Sequence, residues 1–97
     1  MTVASETQQG WHDFLKLCQA AKTTKQLDEL FDCLMTIEER HALGLRVALI
    51  QELLSGQKTQ REIAADLEIS IAKITRGSNA LKIITDRLRN FLKNMLT

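Results

Sequence analysis

Ile71, Ala72, Lys73 and Thr75 follow a serine suited to capping a helix, and they fill the first turns of the helix that Ser70 would open. In a DNA-reading pair of short helices, those turns enter the major groove and meet base edges. The residues upstream complete such a pair. Thr59 and Glu62 have the spacing of a capping box, so a helix can start there. Ile63, Ala64 and Leu67 turn one apolar face inward, and Ala64 is small enough to let a second helix cross closely. Glu68-Ile69-Ser70 makes the turn, with Ile69 as its buried anchor and Ile74 as the inward residue beyond it. Residues 59–82 therefore read as a helix-turn-helix. Many such turns carry glycine where this chain has Glu68, which must adopt the turn conformation at some strain. An ordinary helical hairpin in an all-α domain is the plainer account of the same pattern.

Two further residues carry chemistry. Arg46 interrupts an otherwise apolar helix, and a buried or half-buried guanidinium there needs a carboxylate, a phosphate or a stacking partner. An intersubunit ion pair with Glu39 or Asp86 would also serve. Gly77 falls inside the second helix of the pair, where glycine costs about 1 kcal/mol relative to alanine. Close approach of something to the backbone is one reason to tolerate it; the other is that Gly77 ends the helix, although Asn79 and Leu81 continue the pattern.

The elements that must hold these residues are helices. The chain of 97 residues has no Pro and no Tyr, and its aromatic content is low, so an all-α domain with an aliphatic core is expected. Residues 1–9 are polar and are expected to be a disordered arm ahead of a single domain over residues 10–97. Trp11, Phe14, Leu15 and Cys18 recur at helical spacing from Gly10 onward. Leu27, Leu30, Phe31 and Leu34 do the same in a second helix from about Thr24. Thr36 and Glu39 form a second capping box, opening a third helix that ends at Gly56, a natural C′ glycine. Leu43, Val47, Ile50 and Leu54 form one stripe of that helix, yet Leu45, Ala48, Leu49 and Leu53 cover much of the rest. A helix apolar nearly all round is covered on several sides, which one short chain cannot provide, so the middle of a dimer core is expected. A last helix from Thr85 carries Leu88, Phe91, Leu92 and Met95 on one face.

Charge agrees with a nucleic-acid partner. Residues 57–97 hold eight Lys and Arg against four acids, a balance of +4, whereas residues 1–56 hold five against eight, a balance of −3. The positive part contains the helix pair, although a solvated surface with an uneven spread would look the same. Cys18 and Cys33 sit at apolar helical positions and are expected to be buried, reduced thiols. No secretion pattern, membrane-length apolar run or metal-ligand spacing of His12 and His41 is evident, so a cytoplasmic protein without a metal is expected. No nucleophile sits beside an evident base and no phosphate-binding glycine loop is present, so an enzyme is not expected; a protein-interaction module is the competing class.

The motifs EERHALGLRV, ELLSG, TQRE and ITRGSNALK, all within residues 36–82, closely resemble the tryptophan (Trp) repressor family. More loosely, the first, second and last helices fall as that family's do. The resemblance implies an intertwined homodimer of six-helix subunits. It implies two DNA-reading heads that bound L-tryptophan, a corepressor and not a cofactor, sets onto a palindromic operator of tryptophan biosynthesis or uptake genes. A relative answering another indole or amino acid stays open. By resemblance, Arg46 and Arg76 sandwich the indole, Arg76 and Thr36 take the ligand carboxylate, and Gly77 is a wall. Thr36 could equally be a helix cap alone. The matching main-chain carbonyls of Cys33 and Met35 receive the ligand ammonium. Ala80 departs: the family usually has a serine that hydrogen-bonds that ammonium, and losing such a bond costs about 1.5–3 kcal/mol unless Ser78 or water replaces it. On the DNA side the resemblance gives Arg61 a guanine, Gln60 a phosphate, and Ile71, Ala72, Lys73 and Thr75 the groove; Lys82 is expected to anchor a phosphate. Lys73 stands where familiar relatives have threonine, adding a charge at the groove.

Overall fold

The computed structural model describes residues 3–97 and builds them from six helices, with no strand among those residues. They are α1 (Val3–Ala20), α2 (Thr24–Leu34), α3 (Ile37–Ser55), α4 (Gln60–Leu67), α5 (Ile71–Ile83) and α6 (Asp86–Leu96). The expected all-α, six-helix architecture is borne out. One expectation is corrected: Val3–Gln9 belongs to α1 and is not an irregular arm, while Met1 and Thr2 lie outside the described residues. Polarity misled here, because a solvated helix turn needs no apolar residue; Gln9 donates to Asp13 at 3.1 Å, one turn on along the exposed face.

Side-chain caps fix the helix starts. Thr23 opens α2 by accepting from the Gln26 N–H at 3.0 Å. The Thr36–Glu39 box is complete, the Glu39 N–H donating to Thr36 Oγ1 at 3.0 Å and the Thr36 N–H to Glu39 Oε1 at 2.9 Å. Thr59 and Glu62 repeat the arrangement at α4 with both bonds at 3.1 Å. Ser70 caps α5 and Thr85 caps α6. Each hydroxyl occupies one of the N–H groups that a helix start leaves without a partner. Gly56 closes α3 with φ of 66°, the left-handed value expected of a C′ glycine.

The chain divides into two compact units, with Arg40 ending the first and His41 beginning the second, inside what the sequence presents as one domain. In the first, Phe14 of α1 stacks on Phe31 of α2 at 5.9 Å, and Arg40 pairs with Asp28 and Asp32. Neither cysteine forms a disulfide; Cys18 is half-buried, but Cys33, in the last turn of α2, is exposed, against expectation.

The second unit holds the helix pair. Leu49 of α3, Ile63 of α4 and Ile74 of α5 form its buried centre, with Leu53, Ala64, Leu67 and Ile69 packed around them. The turn runs as expected from the end of α4 at Leu67 to the start of α5 at Ile71, and Glu68 takes the left-handed conformation at φ 54°, ψ 45°. A non-glycine residue there costs roughly 1–2 kcal/mol. In return the Glu68 and Ile69 N–H groups both reach the Ala64 carbonyl, closing α4. Gln51 donates to the Leu96 carbonyl at 2.7 Å, and Arg89 donates to that of Leu81, together tying α6 to α3 and α5.

Candidate ligand pocket and DNA interface

Gly77 brings α3 and α5 together. A Cβ built on it would stand 2.9 Å from Leu49 Cδ2 and 3.4 Å from Leu53 Cδ1. The close neighbour that accounts for this glycine is therefore a core leucine, and α5 runs unbroken through it to Ile83.

Beside that contact lies a cavity of about 570 Å3, within the roughly 300–1,000 Å3 usual for small-molecule sites. One wall is a face of α3 made by Ala42, Leu45, Arg46, Leu49 and Ile50, which recur every three or four residues. The facing wall is the α5 stripe Lys73, Arg76, Gly77 and Ala80, and the turn closes one end with Glu68 and Ile69. The walls are aliphatic, with guanidinium groups on both helices, an arrangement suited to a flat aromatic body bearing an anion.

Arg46 and Arg76 are exposed, not half-buried, and neither forms an ion pair among the described residues. Four of the seven expected ligand residues, Arg46, Arg76, Gly77 and Ala80, thus line one cavity. Cys33, Met35 and Thr36 belong to the first unit. Cys33 lies in the last turn of α2, and Met35 is its extended C-cap, so the carbonyls there are those a helix end leaves without intrahelical partners. Such carbonyls sit at the negative end of the helix dipole and suit an ammonium. The Thr36 hydroxyl accepts from the Glu39 N–H, and Thr36, by its backbone N–H and then its side chain, holds the Glu39 carboxyl below the ordinary glutamate pKa; the role seen for it here is the cap.

Gln60 and Arg61 are exposed in the first turn of α4; Ile71, Ala72 and Thr75 are exposed along one side of α5, and Lys82 is exposed in its last turn. Thr75 Oγ1 donates to the Ile71 carbonyl at 3.0 Å, which leaves lone pairs and a methyl for any base. Lys73 differs from these: it shares the α5 stripe that lines the cavity, three residues from Arg76. Lys58, one of the basic residues of the positive half, is held by Asp66 at 2.6 Å and Glu52 at 3.3 Å. The hydrogen bond to Asp66, then that to Glu52, raises its pKa.

His41, Glu68 and Ile69 were not foreseen as pocket residues. The spacing of Ala42, Leu45, Leu49 and Ile50 around Arg46 would have marked the α3 wall; only the path of the turn reveals Glu68. Among the described residues no group of three or more His, Cys, Asp or Glu could hold a metal ion, and no helix is long and apolar enough to cross a membrane.

Comparison with known proteins agrees with this geometry. A family model described as Trp repressor protein matches residues 9–96. A Trp operon repressor homolog of Chlamydia caviae is 48% identical over 86 residues, covering 89% of this chain and 85% of its own length. One of Chlamydia trachomatis serovar D is 42% identical over 89 residues, covering 92% of this chain and 95% of its own. One of Vibrio vulnificus is 42% identical over 86 residues, covering 89% and 84%. With the helix pair, the two-arginine cavity and a match along nearly its whole length, the chain belongs to the Trp repressor protein family.

Proposed function

We propose that this chain is a tryptophan-responsive transcriptional repressor. L-tryptophan is its corepressor, and a palindromic operator of tryptophan biosynthesis or uptake genes is its DNA target. The observation that carries the reading is a single cavity whose walls include Arg46 of α3, Arg76 of α5 and the turn between the two DNA-reading helices. A ligand in it touches the scaffold helix and the reading head at once, so occupancy biases the angle at which α5 is presented. The indole stacks between the guanidinium groups of Arg46 and Arg76. Arg76 takes the carboxylate; the Thr36 hydroxyl for that carboxylate and the carbonyls of Cys33 and Met35 for the ammonium are the contacts that the family resemblance implies. Gly77 and Ala80 bound the pocket along α5.

On DNA, Arg61 reads a guanine by its paired N–H donors, Gln60 and Lys82 hold phosphates, and Ile71, Ala72, Lys73 and Thr75 meet the groove. Two copies act together. Leu43 and Val47 on α3 are 43% and 44% exposed, and Phe91 and Met95 on α6 are 57% and 70% exposed, an apolar surface that a second subunit would cover.

The test is titration of a fluorescent palindromic operator with the protein, with and without L-tryptophan. Operator affinity should rise with tryptophan, while binding to an unrelated duplex stays weak. Equal operator affinity in both conditions would remove the repressor reading as stated.

A further inference from the structure

Lys58 is the first cation of the positive half, two residues before Gln60 and three before Arg61, a place from which a lysine usually meets phosphate. Its ammonium is engaged elsewhere. Nζ lies 2.6 Å from Asp66 Oδ2 and 3.3 Å from Glu52 Oε2. Glu52 is on α3 and Asp66 is in the last turn of α4. One side chain, rooted just ahead of the Thr59 cap, thus joins the end of one helix to the body of the next. Among the described residues no other ion pair joins α3 to α4. Ile63 anchors α4 in the buried centre beside Leu49, but apolar attraction has no direction and leaves the tilt of an eight-residue helix open. A directed tie at its start and its last turn limits that tilt. Two carboxylates against one ammonium also give the group an excess of negative charge, which repels a phosphate.

We propose that Lys58, held by Glu52 and Asp66, is a positioning residue of the DNA-reading head and not a phosphate contact: it fixes α4 on the end of α3 so that Gln60 and Arg61 arrive at the duplex correctly aimed. The inference rests on the DNA reading above and deepens it. Without the tie α4 samples a wider range of tilts, and a part of that range alone presents Arg61 to its base. Affinity then falls by the competent fraction. All three side chains reach solvent, so the effect is a few-fold one and not a collapse of the head.

The experiment titrates the full chain, Lys58→Met, Asp66→Asn, the double variant and Lys58→Arg against one probe over a range of salt. The probe is a palindromic duplex selected from a random pool by the wild-type chain with L-tryptophan. Lys58→Met and Asp66→Asn should each weaken binding about threefold, and the double variant no further, because either change breaks the same tie. The salt slope of Lys58→Met should equal that of the wild type, and Lys58→Arg, which can still bridge two carboxylates, should keep wild-type affinity. Asp66→Asn is the deciding arm. Removing an acid from a DNA-binding head strengthens binding by charge alone, so a loss there reports geometry. Amide hydrogen exchange should show α4 less protected in both single variants and α5 unchanged, which separates a loosened helix from an unfolded chain. Tighter binding by Asp66→Asn with a salt slope about 1 lower per subunit in Lys58→Met makes Lys58 a phosphate contact. That result, additive losses, or unchanged affinity in both single variants overturns the positioning role and leaves the DNA reading standing. A wild-type chain that selects no duplex overturns both.

Discussion

Arg76 is the residue on which most of the proposed ligand chemistry converges. Its guanidinium lines the cavity on the stripe it shares with Gly77 and Ala80, and no acid of the described chain engages it. It is free to present a flat face to an indole and its N–H edge to a carboxylate. Arg76→Ala removes both at once. Charge-assisted contacts are worth roughly 1.5–3 kcal/mol, so tryptophan affinity should fall at least tenfold and the operator should cease to respond. Unchanged tryptophan binding in calorimetry would sink the pocket assignment. Gly77 makes a separate case, because its neighbour is protein. Alanine there gains about 1 kcal/mol of helix propensity, while crowding a packed leucine costs roughly 1–3 kcal/mol. The new methyl would stand 2.9 Å from Leu49 Cδ2, so this buried leucine, which also borders the cavity, must shift away from its packed position. A net loss of about 1 kcal/mol is expected for Gly77→Ala in urea unfolding. A variant more stable than the wild type would mean that α3 and α5 are not in contact at this point.

The helix pair depends on caps more than on propensity, since α4 has only eight residues. Thr59→Ala removes the hydroxyl that holds the Glu62 N–H and should cost about 1 kcal/mol of unfolding free energy. The other half of the box is a carboxylate. The backbone N–H of Thr59, then its hydroxyl, hold the Glu62 pKa below the ordinary glutamate value, and Thr36 does the same to Glu39. A lowered folded-state pKa gives stability that is present above the ordinary glutamate pKa and is lost as pH falls through the lowered one. The stability gap between wild type and Glu62→Gln should therefore be open at about pH 7 and shrink toward about pH 3. A gap that stays constant over that interval would show that the carboxylate does not stabilise α4. These caps were legible because each needs only two residue types at fixed spacing. The turn was legible for a similar reason: Ile69 and Ile74 had to face inward on either side of Ser70. The first turns of α1 were not, since Val3–Gln9 offers no apolar stripe and its helix is recognisable only from the backbone. The cavity was half legible. Arg46 and Gly77 stood out as misfits within their own helices, whereas Lys73 and Glu68 become pocket residues only when α5 is laid against α3.

For the molecule as a whole, charge and apolar surface point to two different partners. Most of the cations of residues 57–97 are exposed, but Arg89 is half-buried against the Leu81 carbonyl and Lys58 is bound by Asp66 and Glu52. Lys82 has no such partner among the described residues and lies in the last turn of α5. Lys82→Ala should weaken operator and unrelated DNA alike and lower the salt slope by about 1 per subunit. An unchanged slope would mean that Lys82 touches no phosphate. The apolar surface makes the stronger demand. Among the described residues Leu49, Ile63, Ile74 and Leu81 are the buried hydrophobics, while Trp11 is 60% exposed and the α6 side chains Phe91 and Met95 lie open. A second copy would cover part of that exposed apolar surface, and α3, with Leu43 and Val47 exposed and Leu49 buried, is where it would do so. If folding and association are one event, the unfolding midpoint must depend on protein concentration. Raising the concentration a hundredfold should raise the thermal midpoint by several degrees, and Val47→Lys, which sets a charge into the proposed interface, should lower it at every concentration. A midpoint that does not move with concentration would show that the single chain is stable alone, and the dimer would then have to be a later association between folded monomers.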